Sequence, residues 1–233
     1  IPADHILELE GNYWEIGAGP AGPCSEIFYD RGEAYDPSGI GIALLRDDLP
    51  NSRYVEIWNI VFSAFNAVPD IPRDQYQELP SKNIDTGMGL ERMSMVIQNA
   101  SSIYETDLFN NTMNALSTLS GITYEGQPSF RIIADHLRTI TMGLKDGASF
   151  GNTGRGYILR RLLRRAVREG QKLGINKTFL HQIIPSVILS MQDFYKFTGD
   201  DTRKIMDLVL AEEQLFYKTL ASGVAKIQSL ISV

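Results

Sequence analysis

The stretch "IDTGMGLERM", residues 84–93, marks a change of hydrophobic period that divides the chain into two kinds of structure. Before it, apolar residues alternate as in a strand; after it, Leu90, Met93, Val96 and Ile97 recur at helical spacing. Asp85, Gly87 and Gly89 alternate within it, which in an extended segment puts a carboxylate and two missing side chains on one face. Spacing alone serves two readings equally. One is a strand-to-helix turn with a solvated Glu91-Arg92 pair; the other is a floor on which a small molecule can lie against the backbone.

The longest strand expected before this point is "RYVEIWNIVFSAFNAV". Strict alternation places Val55, Ile57, Asn59, Val61 and Ser63 on one face and Glu56, Trp58, Ile60 and Phe62 on the other. Asn59 stands out, because an amide in apolar surroundings must find partners. "HILELEGNYWEIG" reads as a hairpin about Gly11-Asn12, "SEIFYD" as a half-buried strand, "GAGPAGP" (17–23) as a loop, and residues 69–82 as a Pro-rich connection. Helical patterns follow: "YETDLFNNTMNALSTLSG" stopping at Gly121, "RIIADHLRTITMGLKDG", "GYILRRLLRRAVREGQKLG", and two more over about 178–196 and 201–230. The composition shifts between residues 100 and 130. The expected architecture is α+β, an antiparallel sheet unit over 1–102 followed by a helical unit over 103–233.

Charge separates the halves further. The chain carries a net charge of −6, which opposes indiscriminate binding of nucleic acid. Yet Arg155, Arg160, Arg161, Arg164, Arg165, Arg168 and Lys172 face a single acidic residue, Glu169, in the same span. One basic helix on an acidic protein suits a specific polyanion docked at one place. Cys24 is the sole cysteine and His5, His136 and His181 are scattered, so neither a disulfide nor a zinc site is expected. No apolar run approaches a membrane span and "IPADHILELE" lacks the features of a signal peptide, so a cytoplasmic protein without a membrane partner is expected. The opening on Ile1, in strand-forming sequence and without methionine, reads as a piece of a longer chain.

Four segments in order, "NYWEIGAGPAGPCSEIFYDRG", "VEIWNIVFSAFN", "NIDTGMGLERM" and "NTGRGYILRRLLRRAVR", resemble the alanyl-tRNA synthetase family of class II aminoacyl-tRNA synthetases. The resemblance spans essentially all 233 residues. It implies a partial class II antiparallel sheet followed by a helical tRNA-recognition domain, and activation of alanine by ATP before transfer to tRNA. In that light Asp85 would accept hydrogen bonds from the alanine ammonium. Asn59 and Val61 would line the pocket, Trp14 would wall it or serve as a core aromatic, and Gly87 would leave room for the substrate. Gly89 and Arg92 would meet ATP, with Arg92 at the terminal phosphate. Glu56 would be a magnesium ligand, although strict alternation turns it away from Asn59. No residue reads as a nucleophile, so positioning and charge neutralisation are the expected catalysis.

The resemblance also gives the basic helix a task. Asn152 matches the position that reads the wobble pair marking the tRNA acceptor stem. Arg155, Arg160, Arg161, Arg164, Arg165 and Arg168 would hold phosphates, some of them instead pairing with neighbouring helices. Ala21 departs from the family, where a cysteine is common. The first two class II motifs upstream and an editing domain downstream are expected to be missing, making this a central fragment. Two competing readings are a non-catalytic RNA-binding module on a class II scaffold, and a related enzyme activating an amino acid for a carrier other than tRNA. The set of Asp85, Gly87 and Arg92 speaks against the first, and Asn152 with its arginines against the second.

Overall fold

A computed structural model describes residues 1–231. The chain divides into two compact units, Ile1–Ser101 and Ser102–Val233.

The first unit is built on four antiparallel strands that lie side by side in chain order: β1 (Tyr13–Glu15), β2 (Gly19–Asp30), β3 (Tyr54–Ala67) and β4 (Gln77–Met88). A short helix, α1 (Ala43–Arg46), sits in the β2–β3 connection, and α2 (Leu90–Ile97) follows β4. Polar side chains hold that connection together with the buried Leu44. Asp36, buried, accepts hydrogen bonds from Ser38 Oγ (2.5 Å) and the Gly41 amide (2.7 Å). Arg53 forks onto Asp30 with two contacts of 2.8 Å, and Arg31 donates to the carbonyls of Ala100 and Ser101.

The hairpin forms later than the alternation suggests. The turn falls at residues 16–18, where Gly17 has φ +93°, and Tyr13–Glu15 pair with Pro23–Ala21 while residues 6–10 stay outside the ladder. Most of the expected Gly-Pro loop is therefore strand. Pro23 is tolerated because the register shifts between Ala21 and Cys24, and a bulge relaxes the demand for the amide that proline lacks. The Pro-rich connection is likewise shorter than expected, since β4 begins at Gln77.

The second unit holds α3 (Asp107–Ser120), α4 (Pro128–Lys145), α5 (Gly154–Lys172), α6 (Leu180–Met191) and α7 (Gly199–Ile231). Gly121 ends α3 in the left-handed conformation, φ +72°, where a side chain would be strained. Thr198 and Asp201 cap α7 reciprocally, and Lys145 adds an ion pair of 2.9 Å to Asp201. The helical periodicity buries a continuous apolar cluster including Phe109, Phe130, Leu137, Leu163, Phe179, Ile184 and Val209. Within it α5 has no side chain at Gly170, where a Cβ would lie 2.4 Å from the Phe179 ring.

Candidate functional site

In the first unit the strand register decides which side chains meet. Asn59 pairs with Gly87 and Val61 with Asp85 across β3 and β4, while Glu26 pairs with Asn59 and Cys24 with Val61 across β2 and β3. Directly opposed residues share a face of a sheet, so Cys24, Glu26, Asn59, Val61, Asp85 and Gly87 look out from one surface. Asn59 Nδ2 donates to Glu26 Oε1 (3.2 Å), and its Oδ1 is buried with no hydrogen-bond partner.

Strict alternation misplaces Glu56. Between Ile27–Trp58 and Phe28–Glu56 the register slips by one, which makes Ile57 an extra residue in β3. A one-residue bulge exchanges the faces beyond it, so Glu56 joins Phe28, Glu26 and Asn59, and Val55 leaves the face expected for it. The electrostatics agree with this placement. Burial, and then the neighbouring Glu56 carboxylate, push the Glu26 carboxyl above its ordinary range, and burial with Glu26 and Glu56 does the same to the Cys24 thiol.

Arg92 reaches this corner from the first turn of α2. Its Nη1 donates to the Glu56 carboxylate at 2.7 Å and to the Glu56 carbonyl at 3.0 Å, which leaves Nη2 and Nε as further donors. Gly89 supports the approach: it precedes the helix, donates its amide to the Ile57 carbonyl (3.1 Å), and a Cβ there would lie 3.4 Å from the Arg92 chain. Asp85 is exposed, its Oδ1 accepting only a local bond from the Thr86 amide (2.8 Å). Around Gly87 a Cβ would meet nothing within 4 Å, so the floor is open.

Trp14 is anchored at the other end. Its indole Nε1–H donates to the Phe62 carbonyl (3.1 Å), next to Val61, passing over Gly22, its partner in the ladder. A Cβ on Gly22 would come within 1.9 Å of that carbonyl oxygen, so the close approach requires glycine. Ala21 is fully buried. Sequence reasoning passed over Glu26 and Cys24. The alternation of "SEIFYD" was visible, but only the register puts Glu26 opposite Asn59.

In the second unit α5 divides its cations by face. Leu159, Leu163, Ala166 and Val167 pack into the core, while Arg155, Arg161, Arg165 and Arg168 are exposed. Arg161, Arg165, Arg168 and Lys172 follow at spacings that align them along one side of the helix. Arg160 and Arg164 turn instead to α7. Arg160 clasps the buried Glu212 through Nε (2.7 Å) and Nη2 (3.0 Å), and Arg164 stacks 5.3 Å over the Phe216 ring. Asn152, in the loop before α5, accepts a hydrogen bond from Arg160 Nη1 at Oδ1. The helix is capped by Thr153 without a side-chain bond, so Asn152 is not occupied with backbone donors.

Among the described residues no group of His, Cys, Asp and Glu has the number and closeness of a metal cage, and no helix is long and apolar enough to cross a membrane. Comparison with known proteins matches residues 1–233 to the family model of class II (A) tRNA synthetases. The chain is 49% identical over 235 aligned positions to an alanine–tRNA ligase of Streptococcus pyogenes serotype M3, and equally to one of Streptococcus agalactiae serotype V. Those alignments cover 100% of this chain and 27% of each relative. The chain thus spans about a quarter of the length of the curated relatives it matches.

Proposed function

The chain belongs to the family of class II (A) tRNA synthetases, and on that premise we propose that it serves the ATP-dependent ligation of alanine to its tRNA through an alanyl-adenylate. The observation that carries the reading is the register that gathers Asn59, Val61, Asp85 and Gly87 on one face, with Arg92 and Glu56 at its end. Asp85 supplies the negative charge for the alanine ammonium, Gly87 the open floor, and Trp14 a wall fixed by its bond to Phe62. Arg92, charged at every working pH, offers its remaining donors to an ATP phosphate, assisted by Gly89 at the helix start. The protein acts in the cytoplasm, where charged tRNA is consumed.

Glu26 and Glu56 fit magnesium, because a dication would relieve the Glu26 carboxylate, whose proton affinity is raised by burial and then by the neighbouring Glu56. When bound, the ion would offset charge on the ATP phosphates. The residues themselves orient the substrates: alanine by Asp85 and Asn59, the nucleotide by Arg92. Reaction by in-line displacement then needs no protein nucleophile. The helical unit would bring the tRNA acceptor stem, with Arg155, Arg161, Arg165 and Arg168 on phosphates and Asn152 at the wobble pair.

Asp85→Asn in the full-length protein tests the assignment. It removes the charge while keeping the shape, and should weaken alanine by about 1.5–3 kcal/mol with little change for ATP in ATP–pyrophosphate exchange. Equal effects on both substrates would make Asp85 a structural residue.

A further inference from the structure

We propose that Glu212, in α7, is a positioning residue for RNA recognition: it clamps Arg160, and Arg160 fixes which end of the Asn152 amide faces the RNA. The inference rests on the reading of Asn152 given above and adds the device that sets its polarity. Arginine has donors and no acceptors, so its contact with Asn152 commits the Oδ1 end of the amide and leaves Nδ2–H2 outward. An asparagine free to rotate would present either end. A clamped one presents a donor, which selects acceptors in the minor groove, base O2 or N3 atoms and the 2′-oxygen, over the exocyclic amino group of guanine.

The clamp has the geometry such a task requires. Arg160 uses separate nitrogens for its two partners, Nε and Nη2 for Glu212 and Nη1 for Asn152, so holding the carboxylate does not compete with holding the amide. Glu212 is only 6% exposed and Arg160 only 15% exposed in its side chain, whereas Asn152 is exposed. A buried bidentate pair thus ends in an exposed amide. Glu212 rides on a 33-residue helix whose neighbour Glu213 is fixed to the start of α6, so the anchor is part of the packed core rather than of the loop it orients.

The test is the ratio of kcat/KM for an acceptor-stem RNA with the wobble pair to kcat/KM for the same RNA with a Watson–Crick pair, measured on the full-length protein. Partial unfolding lowers both values and leaves their ratio, so a merely structural role does not move it. Asn152→Asp examines the underlying reading, because an aspartate keeps the bond from Arg160 but has no donor; it should reduce the ratio about tenfold or more. Glu212→Gln should reduce the ratio about tenfold, since an amide cannot accept both guanidinium contacts. Arg160→Lys, which keeps the charge beside Glu212 but cannot fork, should do the same, and serves should Glu212→Gln fail to fold. Loss in all three supports the clamp. Loss in Asn152→Asp alone, with the ratio intact in the other two, overturns the clamp and leaves Asn152 as the reader. An intact ratio in Asn152→Asp overturns both.

Discussion

The sheet unit and the helical unit solve opposite problems. Among the described residues the buried apolar side chains of the sheet unit are Ala21, Leu44, Ala67 and Met95, while the helical unit buries a continuous cluster from Phe109 to Phe216. Trp58, Ile84 and Met88, on the sheet face opposite Asn59, stay exposed. The sheet therefore owes its geometry to main-chain pairing, bulges and side chains such as Trp14 and Arg53 that are bonded to backbone or carboxylate. Its candidate site is made from those same elements. In the helical unit the two are separated by helix face: Leu163 and Val167 hold α5 in place, and Arg161 and Arg168 are free to meet a ligand. Scaffold and site should respond together to mutation in the first unit and separately in the second.

The largest effect should come from the helical core. Phe179 is fully buried against Gly170, and truncation to alanine should cost about 3–5 kcal/mol in chemical unfolding followed by far-ultraviolet circular dichroism. Trp58→Ala, at a side chain 37% exposed on the open face of the sheet, should cost markedly less. Similar costs for the two would break the comparison.

Next in size is a pH effect confined to the helical unit. Burial pushes the Glu213 carboxyl up to about 7, against an ordinary 4.5, despite the amides of Phe179 and Leu180 that donate to it. A folded-state value above the unfolded one means that the folded protein holds the proton longer, so stability falls as pH rises from about 4.5 to 7 and levels off above. The fall should be of order 3 kcal/mol relative to Glu213→Gln, whose amide does not titrate. His181, with Nδ1 3.8 Å from the carboxylate, is itself pushed toward neutrality by burial, and Tyr217 is shifted upward by burial and by Glu213. Denaturation midpoints of both proteins across pH 4–8 decide the matter. Parallel curves would mean that Glu213 is solvated.

A smaller effect is expected where scaffold and site coincide. Trp14→Phe keeps an aromatic side chain, smaller than indole, and loses the indole N–H that satisfies the Phe62 carbonyl, for about 1–2 kcal/mol of stability in the sheet unit. Because that bond also fixes the wall beside Val61, the alanine requirement should rise in the same variant. A stability loss with unchanged alanine kinetics would separate scaffold from site here too.

The two units also differed in how well they could be read. Helical periodicity located α3 to α7 because a helix tolerates no local slip: each residue advances the pattern by the same angle, and Gly121 marks a stop that only backbone freedom explains. Strand alternation has no such protection. One extra residue at Ile57 moves Glu56 to the face of Asn59, and nothing in "VEIWNIV" announces it, because a bulge is chosen by pairing with β2 rather than by the strand itself. Asn59, Val61, Asp85 and Gly87 lie beyond the bulge and keep their relation, while Glu26 emerges from the pairing alone. The division of arginines on α5 was expected in kind. Assigning Arg160 and Arg164 to protein needed Glu212 and Phe216, some fifty residues away in sequence.

The smallest predicted effect is the finest test of separated scaffold and site, because it compares two arginines four residues apart on one helix. Arg168 is exposed at the solvent side of α5, and Arg164 lies over Phe216 with its Nε buried and unpartnered. If the exposed stripe holds RNA phosphates, Arg168→Ala should reduce the slope of log binding constant against log salt by about one unit or slightly less, since one fewer counterion is released. Its unfolding midpoint should not move. Arg164→Ala should leave the salt slope unchanged and lower stability by about 0.5–1 kcal/mol, the worth of a stacked cation and the chain carbons that cover the ring. Filter binding of an acceptor-stem RNA over a salt series, beside thermal unfolding of each variant, measures both quantities. A salt slope that responds to Arg164 and not to Arg168 would put the RNA on the α7 side of the helix, where Arg160 and Glu212 also lie.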